Sequence, residues 1–310
     1  MNDSKEMFDK LGNFEQFHLV DLASKLPLYY GYDKKGRLSL SLISDKYEKN
    51  LTGTQILDIV SGQNKSGLYQ IFLSLNDSNY KSIFFALCDD IIASLDVVKN
   101  SSIGFKVFVD RIRKWKKMFT SKSSFLDEKS IQGLYGELYF LDGYRFHKYG
   151  REKAIKAWGG PLGRAKDFSI DLDWYEVKCM TTNSNKITIS SIQQLDSENP
   201  GHLVVVKVEL VPEGFNNGIA SLNDLFWKIT KELYNLPESS DLFLQCVLKK
   251  GFQPDDFYEQ FRFDVVSEDF YLVQKDFPRV QLPKGSEDSI GKVTYELMVN
   301  SLKDYLEGGK

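Results

Sequence analysis

Cysteine and histidine are scarce: the 310 residues hold three of each. Cys88, Cys179 and Cys246 stand singly, without Cys-x-x-Cys spacing. Neither a disulfide framework nor a zinc ribbon is expected, and the pattern suits a reducing cytoplasm. His18, His147 and His202 lie far apart, which argues against a histidine-rich metal site. Long apolar runs are also missing. The longest, Ile83 to Cys88, has six residues, whereas a bilayer span needs about 20. The opening MNDSKEMFDKLG has no apolar stretch of the signal-peptide kind, so no membrane association or export is expected. There is no internal repeat or low-complexity tract.

What is present is a globular composition, with 42% hydrophobic, 27% charged and 14% aromatic residues. Such a chain has the apolar surface to offset ordering entropy, so disorder is excluded as its main state. At roughly 150 residues per domain, the length suggests about two domains. Net charge is −3 and unremarkable, but its distribution is not. Residues 105–122 carry +6, residues 123–144 carry −3, and residues 145–166 carry +6 again, leaving −12 on the rest. A basic island in an acidic protein is a candidate phosphate-binding surface. Its first part is also an amphipathic helix, because Phe105, Phe108, Ile112, Trp115 and Phe119 recur at steps of three and four. The basic side of that helix is expected to face outward.

The first hundred residues predict an α+β arrangement. LYYGYDKKGRLSLSLIS reads as a hairpin turning at residues 33–36, LYQIFLSL as a strand, and Ser82 to Val98 as a helix. TSKSS at 120–124 is the linker candidate. Asp127 is placed to cap a helix running to about Tyr149. DFSI, WYEVKCM and ITIS follow as strands, SSIQQL as the start of a helix, and HLVVVKVEL as a β-branched strand. PEGFNNG at 212–218 is a loop. Beyond it come a helix (SLNDLFWKITKELYN), the apolar LFLQCVL, two strand candidates (FRFDVV and FYLVQ) and a last amphipathic segment (TYELMVNSLKDYL). The expected organisation is an N-terminal α+β domain over 1–124, a mixed α/β core over 125–211, and a C-terminal α+β extension over 212–310.

Within WYEVKCM, Glu176 and Lys178 share one face of the strand, while Tyr175, Val177 and Cys179 share the other. Acid-x-Lys also occurs at Asp3–Lys5, Asp33–Lys35 and Asp127–Lys129, in tail, turn and helix-start settings. Glu176 differs in standing in an apolar strand, where an unpaired carboxylate is costly. A hairpin between DFSI and WYEVKC, turning at Leu172–Asp173, sets Asp167 opposite Lys178 and so on the same face. Asp171 and Asp173 are read as turn formers. Glu137, in GLYGELYFL, borders the apolar face of its helix, and Gln194 or Gln193 ends SSIQQL as a polar group for phosphate, water or a cap. Clustered carboxylates with a nearby lysine are what divalent-cation hydrolysis of phosphodiesters requires.

Taken together, these residues resemble the PD-(D/E)XK nuclease superfamily. More narrowly, the chain resembles a bacterial family carrying that motif and encoded beside restriction and phage-defence genes. GLYGELYFL, AWGGPLGRAKDF, WYEVKCM, ISSIQQL, FYLVQKDFPRV, VTYELMV and IFFALCDDI carry the likeness. The resemblance implies a restriction-endonuclease-like αβββαβ core. It also implies Asp167 and Glu176 as metal ligands, Lys178 as catalytic lysine, Glu137 as an auxiliary acid and further ligand, and Gln194 as a supporting polar residue. Lys166 stands where the motif's name has Pro.

The expected function is that of a Mg²⁺-dependent DNA endonuclease, with Mn²⁺ as substitute. It would be the cleavage subunit of a restriction or anti-phage system, working with partner proteins of that system or as a homodimer. Arg113, Lys114, Lys117, Arg164, Lys166 and Lys186 are the DNA-binding candidates. The rival readings are a nuclease-like DNA-binding or scaffolding subunit without catalysis, and an enzyme acting on RNA or a repair intermediate.

Overall fold

The computed structural model describes residues 4–12, 16–120, 124–211, 219–283, 285 and 289–309. Most of the linker candidate at 120–124 and the loop at 212–218 lie outside the described residues. The chain forms two compact units: Met1–Ser124 with Thr230–Leu244, and Phe125–Ile229 with Gln245–Lys310.

The first unit is built on an antiparallel sheet of order β1-β2-β3-β5-β4: β1 (Phe17–Leu19), β2 (Leu28–Tyr32), β3 (Leu38–Ser44), β4 (Leu57–Gln63) and β5 (Tyr69–Leu75). The hairpin turn between β2 and β3 is fixed by Asp33, whose side chain accepts the amides of Lys35 and Arg37, and by Gly36 at φ +71°. The helices are α1 (Ser4–Asp9), α2 (Lys81–Asp96) and α3 (Ser101–Trp115), and Phe8 of α1 meets both Tyr30 of the sheet and Phe84 of α2. Asn100 caps α3 by accepting the amides of Ser102 and Ile103.

One expectation for α3 needs correcting. Its basic residues do not all face outward, because Arg111 is buried. Its Nε donates to Asp90 Oδ2 at 2.5 Å, it also pairs with Asp241, and Trp115 donates to the same Asp90 oxygen at 2.8 Å. Of the more exposed cations, Arg113 pairs with Glu48, and Lys114 with Asp110 and Asp241. Part of the sequence's positive charge is therefore spent inside the unit.

The second unit opens with α4 (Glu128–Phe140), capped by Asp127 through the amide of Ser130 at 2.7 Å. The helical path continues through a π-helical turn (Leu141–Arg145) and α5 (Phe146–Tyr149) to Gly150, then enters α6 (Arg151–Ala157). Arg145, counted with the basic island, is buried with its guanidinium 4.2 Å from the rings of both Tyr149 and Tyr175, and burial lowers its pKa. The strands are β6 (Phe168–Ile170), β7 (Asp173–Thr181), β8 (Lys186–Ile189), β9 (Gly201–Val211), β10 (Ala220–Ser221), β11 (Arg262–Val273), β12 (Tyr295–Met298) and β13 (Leu306–Gly309). The main sheet runs β10-β11-β9-β7-β6, with β13 on β11 and β7 parallel to β9. Helices α7 (Leu222–Glu232) and α8 (Pro237–Lys249) lie between β10 and β11 in the chain. The result is a mixed α/β fold.

Four local readings are revised. SSIQQL forms only a 3-10 turn (Ile192–Gln194), since the turn formers from Asp196 to Pro200 follow at once and leave no room for a helix. The ITIS strand leaves the main sheet and pairs with β12, which is part of the last amphipathic segment. FRFDVV and FYLVQ merge into β11, where a bulge between Val265 and Ser267 carries the ladder past the exposed Val266. The β6–β7 hairpin turns at Asp171–Leu172, with Asp171 at φ +53°, and pairs Ile170 with Asp173 and Ser169 with Trp174. The register is two residues from the expected one. An even shift preserves the face, and Asp167 now falls opposite Glu176.

Candidate active site

Strand β7 turns Trp174, Glu176, Lys178 and Met180 to one side. Trp174 and Met180 join a core with Ile187, Ile189, Leu203, Val205 and Leu297, so β8 and β12 cover that face. Glu176 and Lys178 lie between Trp174 and Met180 on the same side of the strand. On the other side α4 lies close against β7: a Cβ at Gly136 would stand 2.6 Å from Cys179 Cβ. That approach needs glycine, and it brings the neighbouring Glu137 to the strand edge. Strand β6 pairs with only Asp173, Trp174 and Tyr175. Beyond it, Asp167 takes over the edge, its Oδ2 accepting the amide of Val177 at 2.9 Å. The loop before it wraps tightly: the amides of Gly159 and Gly160 donate to the Asp167 carbonyl, and a Cβ at Gly160 would lie 2.7 Å from Oδ1. The glycines of GLYGELYFL and AWGGPLG thus place two of the three carboxylates.

Glu137, Asp167, Glu176, Lys178 and Gln194 all line one cavity of about 490 Å³, together with Lys186 and Lys250. Lys178 Nζ donates to Glu176 Oε1 at 2.8 Å and to Gln194 Oε1 at 3.3 Å; the same Gln194 oxygen accepts the Ser190 amide at 2.7 Å. The turn at 192–194 therefore steadies the lysine. Glu176 is fully buried, and its Oε2 has no hydrogen-bond partner. Burial and the nearby Asp167 charge push its pKa up to about 8 despite Lys178. Glu137, also buried, accepts from Trp158 Nε1 at 2.8 Å and from Lys250 Nζ at 2.6 Å. Burial and Asp167 raise its pKa to about 7. Lys178 and Lys250 lie in surroundings whose burial disfavours charge, yet the carboxylates around them hold both pKa values above the ordinary one. Three carboxylates are gathered here, with lysines among them.

Among the described residues no group of three or more His, Cys, Asp or Glu already encloses an ion position. The donor chemistry nevertheless fits a hard divalent cation. Asp167 and Glu176 offer carboxylate oxygens, and the bare, buried Oε2 of Glu176 is a group that a cation would satisfy. Glu137 is already partnered, one of its oxygens accepting from an ammonium and the other from an indole N–H.

Residues 5–300 match the family described as "Putative PD-(D/E)XK family member, (DUF4420)". The chain belongs to this family. No curated protein and no solved structure matches it. The DUF4420 match extends over nearly the whole chain, and the family's name fits the acid-x-Lys strand at the centre of the site.

Of the other candidates in this DUF4420 chain, Lys186 lines the cavity and pairs with Glu296 at 2.9 Å, and Arg164 is exposed. Lys166 is committed to the fold. Its ammonium donates to the carbonyls of Gln193 and Asp196 and lies 4.1 Å from the Trp174 ring centre, and burial lowers its pKa to about 8. Arg113, Lys114 and Lys117 belong to the first unit. Two residues escaped the sequence reading: Lys250, 113 positions from its partner Glu137, and Trp158. The signals were a lysine closing an apolar helix, and a tryptophan in the glycine-rich loop before Asp167.

Proposed function

We propose that this protein is a Mg²⁺-dependent endonuclease acting on DNA, with Mn²⁺ able to replace Mg²⁺. The observation that carries the reading is the grouping of Glu137, Asp167 and Glu176 with Lys178 about one cavity, with a Glu176 oxygen buried and bare. A module that only binds DNA has no use for buried carboxylates turned toward a phosphate, since they repel it.

Asp167 and Glu176 would hold the cation. When bound, it would lower the pKa of a water and offset charge on the scissile phosphate. Lys178, tethered by Glu176 and Gln194, would orient the attacking water and offset charge developing on the phosphoryl oxygens. Gln194 keeps that ammonium from swinging away. Arg113, Lys114, Lys117, Arg164 and Lys186 would contact the DNA backbone and supply salt-dependent affinity without reading sequence. A cytoplasmic setting agrees with three unpaired cysteines. A role as cleavage subunit of a restriction or anti-phage system, with partner proteins, completes the proposal.

The test is supercoiled plasmid incubated with purified protein. Mg²⁺ should give nicked or linear product, EDTA should stop the reaction, and Mn²⁺ should restore it. Plasmid that is bound but never cut with either ion would leave the scaffolding reading. RNA cut in preference to DNA would change the substrate.

A further inference from the structure

We infer that Lys250 is a positioning residue that holds Glu137 out of the ligand set, so that the site takes a single divalent cation on Asp167 and Glu176. The Lys250 ammonium then stands in for a second cation. The inference rests on the metal-dependent reading above and says how that site is charged.

The two sides of the carboxylate group are not equivalent. On the Glu176 side, Oε2 is buried and bare, ready for a ligand. On the Glu137 side both oxygens already have donors: one accepts from the Lys250 ammonium at 2.6 Å and the other from Trp158 at 2.8 Å. An ion coordinated by Glu137 would sit beside the Lys250 ammonium and be repelled by it.

The position of Lys250 is built into the backbone. It follows α8, where the amide of Gly251 donates to the Leu248 carbonyl and that of Phe252 to the Val247 carbonyl, with Gly251 at φ +79°. This is a glycine-terminated helix end whose following residue, Phe252, is fully buried and pins it. A lysine at a helix C-terminus is favoured by the helix dipole. Its ammonium is therefore held at the Glu137 side by more than one long, flexible side chain.

Charge points the same way. Lys250 is the cation paired with Glu137, and its ammonium opposes a second metal ion on that carboxylate. Without Lys250 that repulsion is gone and Glu137 is free to bind an ion.

The experiment titrates Mn²⁺ alone into the full-length protein, read by calorimetry and by the Mn²⁺ electron paramagnetic resonance signal. The parent should take one equivalent. Glu137→Gln should also take one, more weakly because a nearby negative charge is lost, whereas Asp167→Asn and Glu176→Gln should each lose it. Lys250→Met should take a second equivalent, Lys250→Arg should return to one, and Lys250→Met with Glu137→Gln should lose the second. Two equivalents in the parent, loss of binding in Glu137→Gln, or a folded Lys250→Met that still takes one at unchanged affinity would overturn the inference alone. Should Lys250→Met fail to fold, Glu137→Gln still decides whether Glu137 is a ligand. A parent that takes no Mn²⁺ at all would overturn the metal-dependent reading as well.

Discussion

At Glu176 two requirements oppose each other. Burial and the neighbouring Asp167 favour the protonated acid, whereas cation binding needs the carboxylate. With no metal, the folded protein holds this proton up to a pH of about 8, well past the ordinary glutamate value of 4.5. The contribution to stability is complete below the unfolded value and is lost as pH rises through the folded one. In EDTA the melting temperature of the parent should therefore fall from pH 5 to pH 8 more steeply than that of Glu176→Gln. The variant should be the more stable of the two at pH 8. Parallel curves would mean that Glu176 is not under this strain. The Glu176–Lys178 pair was legible in the sequence because strand alternation alone puts the two on one face. Asp167 was legible through hairpin parity, which survived a two-residue error in register. Lys250 was not, because no local pattern ties it to Glu137.

Among the elements, α4 and the loop before β6 do the placing. Gly136 lets α4 lie against β7, while Gly133, one turn earlier, would carry a Cβ in open space. The two glycines should respond in opposite senses to alanine. Gly136→Ala forces helix and strand apart and should destabilise by about 1–3 kcal/mol, with a loss of activity as Glu137 moves. Gly133→Ala should be neutral or stabilising by about 0.5–1 kcal/mol, as alanine is the better helix former. Urea unfolding of both variants measures this, and equal effects would contradict the close-packing account. Periodicity found most of these elements, including the capped helix at Asp127 and the β-branched β9. It failed where length and partner decide the outcome. SSIQQL is too soon followed by turn formers to be a helix, and ITIS finds its partner in β12, more than a hundred residues later.

For the molecule as a whole, charge patterning proved the least reliable guide. Arg111 and Arg145 were counted toward a basic surface, yet one is buried against Asp90 and the other between tyrosine rings. A sequence sum cannot separate charges that face water from charges that serve the fold, because a buried ion pair and a solvated face can share one helix. Breaking the first would cost about 3–5 kcal/mol, so Arg111 is unsuitable for testing DNA contact. The mixed α/β class and its acid-x-Lys strand were legible, since both follow from local alternation. The pairing of β8 with β12 and the return of 230–244 to the first unit were not. The central claim is that Lys178 takes part in phosphodiester hydrolysis. The direct measurement compares parent and Lys178→Ala for plasmid cleavage in Mg²⁺ and for DNA binding in Ca²⁺. The account predicts cleavage reduced by about 10²–10³-fold, the loss expected for one preorganised donor, with binding nearly unchanged. Cleavage by Lys178→Ala at the parent rate would contradict it.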